Sequence, residues 1–194
     1  MIGKKKKKEE EEKKPKDPLM EALSTSLYIL AILILTIVVI KYIGQRTQIM
    51  GSSMEPTLSD GDNVYVDKFS YLNREPERFE IVVFPCEDQI GTYYIKRVIG
   101  LPGETIFIDK ETGYVYINGE KLEEDYVVYK SKKDGIAGTP LTLGEDEYFV
   151  MGDNRDNSLD SRAAEFGPVK REEIVGRAII RLLPIKDFEI LIGK

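Results

Sequence analysis

Three short stretches of this 194-residue chain hold side chains able to act on a covalent bond. The first runs Gln48-Ile49-Met50-Gly51-Ser52-Ser53-Met54-Glu55-Pro56-Thr57-Leu58, with Gly61-Asp62 close behind. Pro56 fixes its own φ and biases Glu55 toward extended backbone, while Gly51 allows close approach of a ligand. Such a loop can hold a serine rigidly, although an ordinary turn reads the same way. The second stretch, from Tyr93 to Glu104 (YYIKRVIGLPGE), is a strand entering a Pro-Gly turn. Alternation puts Lys96 on one face with Tyr94 and Val98, where burial disfavours an ammonium. An unperturbed lysine is neutral in only about one molecule in 2500 at pH 7, so freeing its lone pair costs roughly 4.6 kcal/mol. A lysine base therefore requires desolvation, whereas a bystander lysine simply snorkels. The third stretch, Met151 to Arg162 (MGDNRDNSLDSR), packs hydroxyls, carboxylates and guanidinium groups directly after the apolar run EYFV.

What is missing narrows the chemistry. There is no histidine, which removes Ser-His-Asp and Cys-His mechanisms and histidine-containing zinc sites. Cys86 is the single cysteine, so no intramolecular disulfide, redox pair or multi-thiolate zinc site can form; a small core thiol is the expectation. Asp153, Asp156 and Asp160 are hard-oxygen groups, but their spacing and the missing terminal glutamate do not fit an EF-hand loop. No cofactor and no metal are expected. A net charge of −6, without a basic patch interleaved with aromatics, argues against nucleic acid as a partner.

Taken together and in this order, GSSMEPTL, YYIKRVIGLPGE and GDNRDNSLDSR resemble the type I signal peptidase family of bacteria, and the resemblance covers nearly the whole chain. It implies a Ser-Lys endopeptidase that cuts signal peptides from secretory preproteins after a small-x-small motif. Ser53 would be the nucleophile and Lys96 the general base, with Ser158 orienting the lysine. Asp153, Asp160 and Arg162 would hold the site together. The backbone N–H of Ser53 would serve the oxyanion hole, but Gly51 stands where some members carry a second, hydroxyl donor. Glycine there, the single anchor and the short domain resemble the Gram-positive branch. Tyr94, Phe84 and Pro85 are candidate neighbours of the substrate pocket, with the peptide adding as a strand.

These groups need a scaffold and a place. From Leu23 to Ile40 no residue is charged, and the apolar stretch extends to Ile43 with Lys41 snorkelling. About 21 residues span roughly 31 Å, the thickness of a bilayer core. No polar face emerges at helical spacing, as a buried helix would require, and no small-x-small site closes the run, as a cleavable signal would. The expectation is one transmembrane helix over residues 21–43, after a charged low-complexity tail over 1–20. The lysines before it (Lys4 to Lys8, Lys13, Lys14, Lys16) outnumber Lys41 and Arg46 after it, which predicts a cytoplasmic N-terminus in a single-pass protein of the bacterial cell membrane. The rest, 44–194, reads as a compact, mainly antiparallel β catalytic domain on the outer face. Its runs NVYVDKF, EIVVF, TYYIKRVI, TIFID, YVYING, EYFVMG and VGRAIIRLL are short, β-branched and aromatic, and are punctuated by Gly, Pro, Asp and Asn. Residues 125–140 read as a mobile loop or hairpin. Two rivals remain: a self-cleaving Ser-Lys protease like the SOS-response repressors, which would need a DNA-binding domain in place of the anchor, and an anchored adaptor that binds precursors without cutting them.

Overall fold

The computed structural model describes residues 17–39, 43–86, 92–128 and 131–192. The lysine-rich tail up to residue 16 and Lys41 lie outside the described residues. The chain divides into a helical unit ending at Val39 and a β unit from Ile40 onward.

The helix α1 (Pro18–Val38) starts earlier than hydropathy alone indicates, because Asp17 caps it by accepting from the Leu19 N–H at 3.0 Å and Pro18 tolerates the first helical turn. At 21 residues it is about 31 Å long, enough to cross a bilayer. Its hydroxyls do not spoil it for lipid. Ser24 and Thr25 donate to the Glu21 carbonyl, Ser26 to Ala22 and Thr36 to Ile32, each at 2.9 Å, so each finds its acceptor within the helix.

The β unit contains twelve strands among the described residues: β1 (Gly44–Gln48), β2 (Asn63–Asp67), β3 (Ile81–Pro85), β4 (Tyr93–Gly100), β5 (Thr105–Ile108), β6 (Val115–Ile117), β7 (Glu120–Lys121), β8 (Leu141–Thr142), β9 (Glu147–Met151), β10 (Val169–Lys170), β11 (Gly176–Leu183) and β12 (Glu189–Ile190). Every pairing between them is antiparallel. The larger sheet runs β1-β2-β11-β3-β4-β9-β10 with β12 beside β11, and the smaller runs β7-β6-β5-β8. The mainly antiparallel β class with one N-terminal apolar helix is therefore what the chain adopts. β1 is the strand the sequence hides: GQRTQ has no apolar alternation, and its conformation comes from pairing residue by residue with β2.

Three apolar clusters fill the unit. Ile49, Met54, Leu58, Val64, Val83 and Ile95 form one, Ile99, Ile106, Phe149 and Met151 anchor a second under the smaller sheet, and Val82, Phe84, Val98, Tyr148 and Val150 form a third. Cys86 is buried. Within 125–140 there is a 3-10 turn, Gly135–Gly138, capped by Asp134 and planting Ala137 in the second cluster.

Candidate active site

The serine loop is pinned from both sides. Met54 and Leu58 are wholly buried, and the Leu58 N–H closes onto the Met54 carbonyl at 2.9 Å. The ends of the loop are tied by Ile49 N–H to the Asp62 carbonyl at 2.7 Å and Gly61 N–H to the Ile49 carbonyl at 3.0 Å. Between these anchors Gly51 takes φ +88°, a left-handed conformation that glycine adopts without steric cost. Its N–H donates to Asp60 Oδ1, whereas the Ser53 N–H makes no hydrogen bond among the described residues.

Opposite lies β4. Lys96 is only 3% exposed, and its Nζ stands 2.8 Å from Ser53 Oγ while donating to the Ile95 carbonyl at 3.0 Å. Burial pushes its pKa down to about 8, and Asp160 and Asp153 oppose that shift only in part. The Tyr94 ring lies 5.6 Å from the amine.

The polar run after β9 cradles both groups. Asn154 N–H donates to the Ser53 carbonyl at 3.0 Å, and Asn154 Nδ2 and Asn157 Nδ2 hold the carbonyl and hydroxyl of Ser52 at 3.1 and 2.7 Å. Asp153 and Asp160 are each clamped by an arginine. Arg97 Nε and Nη2 reach Asp153 at 2.9 and 2.6 Å, with both side chains fully buried, and Thr57 Oγ1 donates to the same carboxylate. Arg162 Nε and Nη2 reach Asp160 at 2.8 and 2.9 Å, and the Gly152 N–H adds a third bond to Asp160 at 3.0 Å. Burial alone would push the Asp160 carboxyl up; Arg162, the Gly152 N–H and the nearby Ser158 hydroxyl outweigh it and hold the group below the usual carboxylate range. Ser158 Oγ is buried and lacks a hydrogen-bond partner of good geometry. No hydrogen bond joins it to Lys96, whose second bond goes to Ile95.

Ser53, Lys96, Asp153, Asp160 and Arg162 thus gather at one place, with Ser158 beside them. A cleft of about 450 Å³ opens there, lined by Gly51, Ser53, Val64, Val83, Ile95 and Lys96 among others. Tyr94 borders it, but Phe84 and Pro85 line a neighbouring recess of about 220 Å³ with Phe166 and Glu165. Phe84 is paired with Tyr94 across β3 and β4, facing away from Val83 and Ile95.

Several groups had no signal in the sequence. Arg97 lies inside a motif, but its partner is 56 residues away. Phe79 takes φ +71°, rare for a bulky residue, so that its carbonyl accepts from Arg97 Nη1 at 2.9 Å. Glu124 and Tyr126 stand in no motif at all, yet Glu124 pairs with Arg155 and the Tyr126 ring lies 4.0 Å from the Arg97 guanidinium.

A hydroxyl and a buried amine in hydrogen-bond contact on an antiparallel β scaffold suit a serine peptidase better than a binding module. Comparison with known proteins agrees. The model of the family "Signal peptidase, peptidase S26" matches residues 22–183. The chain is similar to the "Probable signal peptidase I-2" of Synechocystis sp., with 39% identity over 81% of this chain and 72% of that protein. It is similar to the signal peptidase I of Leptolyngbya laminosa, with 39% identity over 87% of this chain and 82% of the relative. A crystal structure of a signal peptidase I from Enterococcus faecalis V583 aligns at 37% identity and a TM-score of 0.44, over 54% of this chain and 97% of that one. In class the chain is a serine endopeptidase. It belongs to the signal peptidase, peptidase S26, family.

Proposed function

We propose that this endopeptidase removes signal peptides from secretory preproteins after a small-x-small motif, with Ser53 as nucleophile and Lys96 as its general base. The observation that carries the reading is the 2.8 Å contact between Ser53 Oγ and an amine whose pKa burial has lowered to about 8. Neutral Lys96 takes the Ser53 proton as Oγ attacks the scissile carbonyl, then gives it to the leaving amine; water activated by Lys96 releases the acyl-enzyme. The unused Ser53 N–H is the proposed oxyanion donor. Gly51 offers no hydroxyl, so a second donor has to come from elsewhere. Ser158 Oγ, buried and unpartnered, is the proposed orienting group for Lys96 once Ser53 is acylated, while the Asp153–Arg97 and Asp160–Arg162 pairs keep the loop in place.

The peptide is proposed to lie extended along β4, which β9 covers only from Arg97 to Gly100. The cleft walls Val64, Val83 and Ile95 suit small apolar side chains at −1 and −3. Residues 21–43 are proposed as the anchor, with residues 1–20 cytoplasmic and 44–194 on the outer face. The test incubates detergent-solubilised protein with a precursor carrying a small-x-small site. Ser53→Ala and Lys96→Ala should both abolish cleavage; retained cleavage in either ends the dyad assignment.

A further inference from the structure

Glu124 and Tyr126 follow β7 of the smaller sheet, outside every motif, yet they reach into the support of the active site. The Glu124 carboxylate accepts from Arg155 Nη1 at 3.1 Å and from Nη2, and both side chains are only 2% exposed. Tyr126 donates its hydroxyl to the same carboxylate at 2.9 Å. Its ring lies 4.0 Å from the Arg97 guanidinium and 6.0 Å from that of Arg155. Arg155 Nε in turn donates to the Gly152 carbonyl at 3.1 Å.

These contacts close on themselves. Glu124 binds Arg155, Arg155 binds the Gly152 carbonyl, Asp153 binds Arg97, and Arg97 lies against Tyr126, which binds Glu124. The circuit passes through the residues that hold the reacting pair. Gly152 packs so tightly that an added Cβ would stand 2.4 Å from the Ser53 carbonyl oxygen, and Arg97 is the neighbour of Lys96 on β4. A buried ion pair contributes little net stability, because desolvation offsets most of the attraction, but it does fix geometry. Support of this kind decides whether a catalytic contact is held or only visited.

We propose that Glu124 and Tyr126 are positioning residues which, through Arg155 and Arg97, hold the Gly152–Asp153 backbone and so keep Ser53 and Lys96 in reactive contact. The proposal rests on the dyad reading above. The charged groups facing Lys96 are Asp160, paired with Arg162, and Asp153, paired with Arg97; the Tyr94 ring and the Ser53 hydroxyl complete its surroundings. Slack in the circuit lets Asp153 turn from Arg97 toward Lys96, which favours the ammonium and weakens the base.

The test uses the full chain in detergent, with a precursor carrying a small-x-small site, and compares Glu124→Gln and Tyr126→Phe with the parent. Glu124→Gln is expected to lower kcat by roughly tenfold to a hundredfold, the range a sub-ångström to ångström misplacement costs, with KM little changed. The acid limb of its kcat profile should move to higher pH. Tyr126→Phe, which removes one hydroxyl, should move both quantities the same way by less. The proposal is overturned if folded variants keep the parental kcat and acid limb. It is equally overturned if kcat falls only in proportion to the folded fraction while the acid limb stays put. Should Glu124→Gln fail to fold, Tyr126→Phe decides alone. Failure of the dyad reading would look different: cleavage surviving in Ser53→Ala or Lys96→Ala.

Discussion

Lys96 and Arg97 are consecutive on β4 and take different partners, the amine Ser53 Oγ at 2.8 Å and the guanidinium Asp153 at 2.6 and 2.9 Å. Two adjacent buried cationic residues avoid conflict because burial lowers the proton affinity of one while a carboxylate neutralises the other. One strand thereby separates chemistry from scaffolding.

The pH dependence of turnover follows from the amine. With a pKa near 8, about one Lys96 in ten is neutral at pH 7, and each further pH unit of acidification removes about tenfold of that population. kcat should fall steeply below pH 8 and level off above it. A profile measured from pH 5.5 to 9.5 that stays flat would rule Lys96 out as the base.

Stability should run against activity at the same residue. Lys96 has its ordinary affinity for a proton in the unfolded chain and a lowered one in the fold, so between about pH 8 and 10.5 the unfolded state binds more protons and stability rises with pH. Below pH 8 the full cost of burying the charge is present, on the order of 3 kcal/mol. Lys96→Met should therefore be inactive yet more stable at pH 7, with the gain fading toward pH 10.5. Thermal unfolding in detergent across this range measures it, and a gain independent of pH would contradict the burial argument.

The Asp153–Arg97 pair should behave as a support whose halves cannot be removed singly. Asp153→Asn strands a buried guanidinium and is expected to cost about 3–5 kcal/mol. Replacing both partners by apolar residues, Arg97→Met with Asp153→Leu, should recover much of that stability without recovering cleavage. Unfolding midpoints and precursor cleavage, measured side by side, separate the two effects.

Two glycines near the serine should differ sharply. A Cβ at Gly152 would stand 2.3 Å from Ser158 Oγ and 2.4 Å from the Ser53 carbonyl oxygen, so Gly152→Ala must displace Ser53, the proposed nucleophile, and should lose roughly a hundredfold in kcat. At Gly51 no atom lies within 4 Å, and only the left-handed φ resists substitution. Gly51→Ala should cost about 1–2 kcal/mol of stability and far less rate. Equal kinetic losses at the two positions would show that the close packing at Gly152 is not what matters.

The helix should matter for encounter rather than chemistry. Without α1, cleavage of a short soluble peptide should continue while processing of a membrane-inserted precursor drops, because the high local concentration of substrate is lost. Comparing the two substrates in vesicles tests this; equal losses on both would give the helix a role in the fold itself.

The apolar segments were legible because burial leaves a mark on composition: TYYIKRVI became β4, EIVVF β3 and EYFVMG β9. The three stretches around Ser53, Lys96 and Ser158 stood out through residue type and order. What the sequence withheld was set by pairing at a distance. GQRTQ is a strand only because β2 lies beside it. Arg97 and Asp153, or Glu124 and Arg155, meet across 56 and 31 residues with no local pattern to announce them. Ser158 was expected to steer the lysine, whereas in this structure the Ile95 carbonyl takes that hydrogen bond.

The Tyr126 ring against Arg97 bears on any attempt to build a smaller protease. Excising the four-stranded sheet and joining Glu104 directly to Glu147 would retain every motif and discard only what resembles ornament. The guanidinium would then lose its aromatic cover, and water would enter beside the strand that carries Lys96. A miniature designed from motifs alone would be complete on paper and leaky in solution.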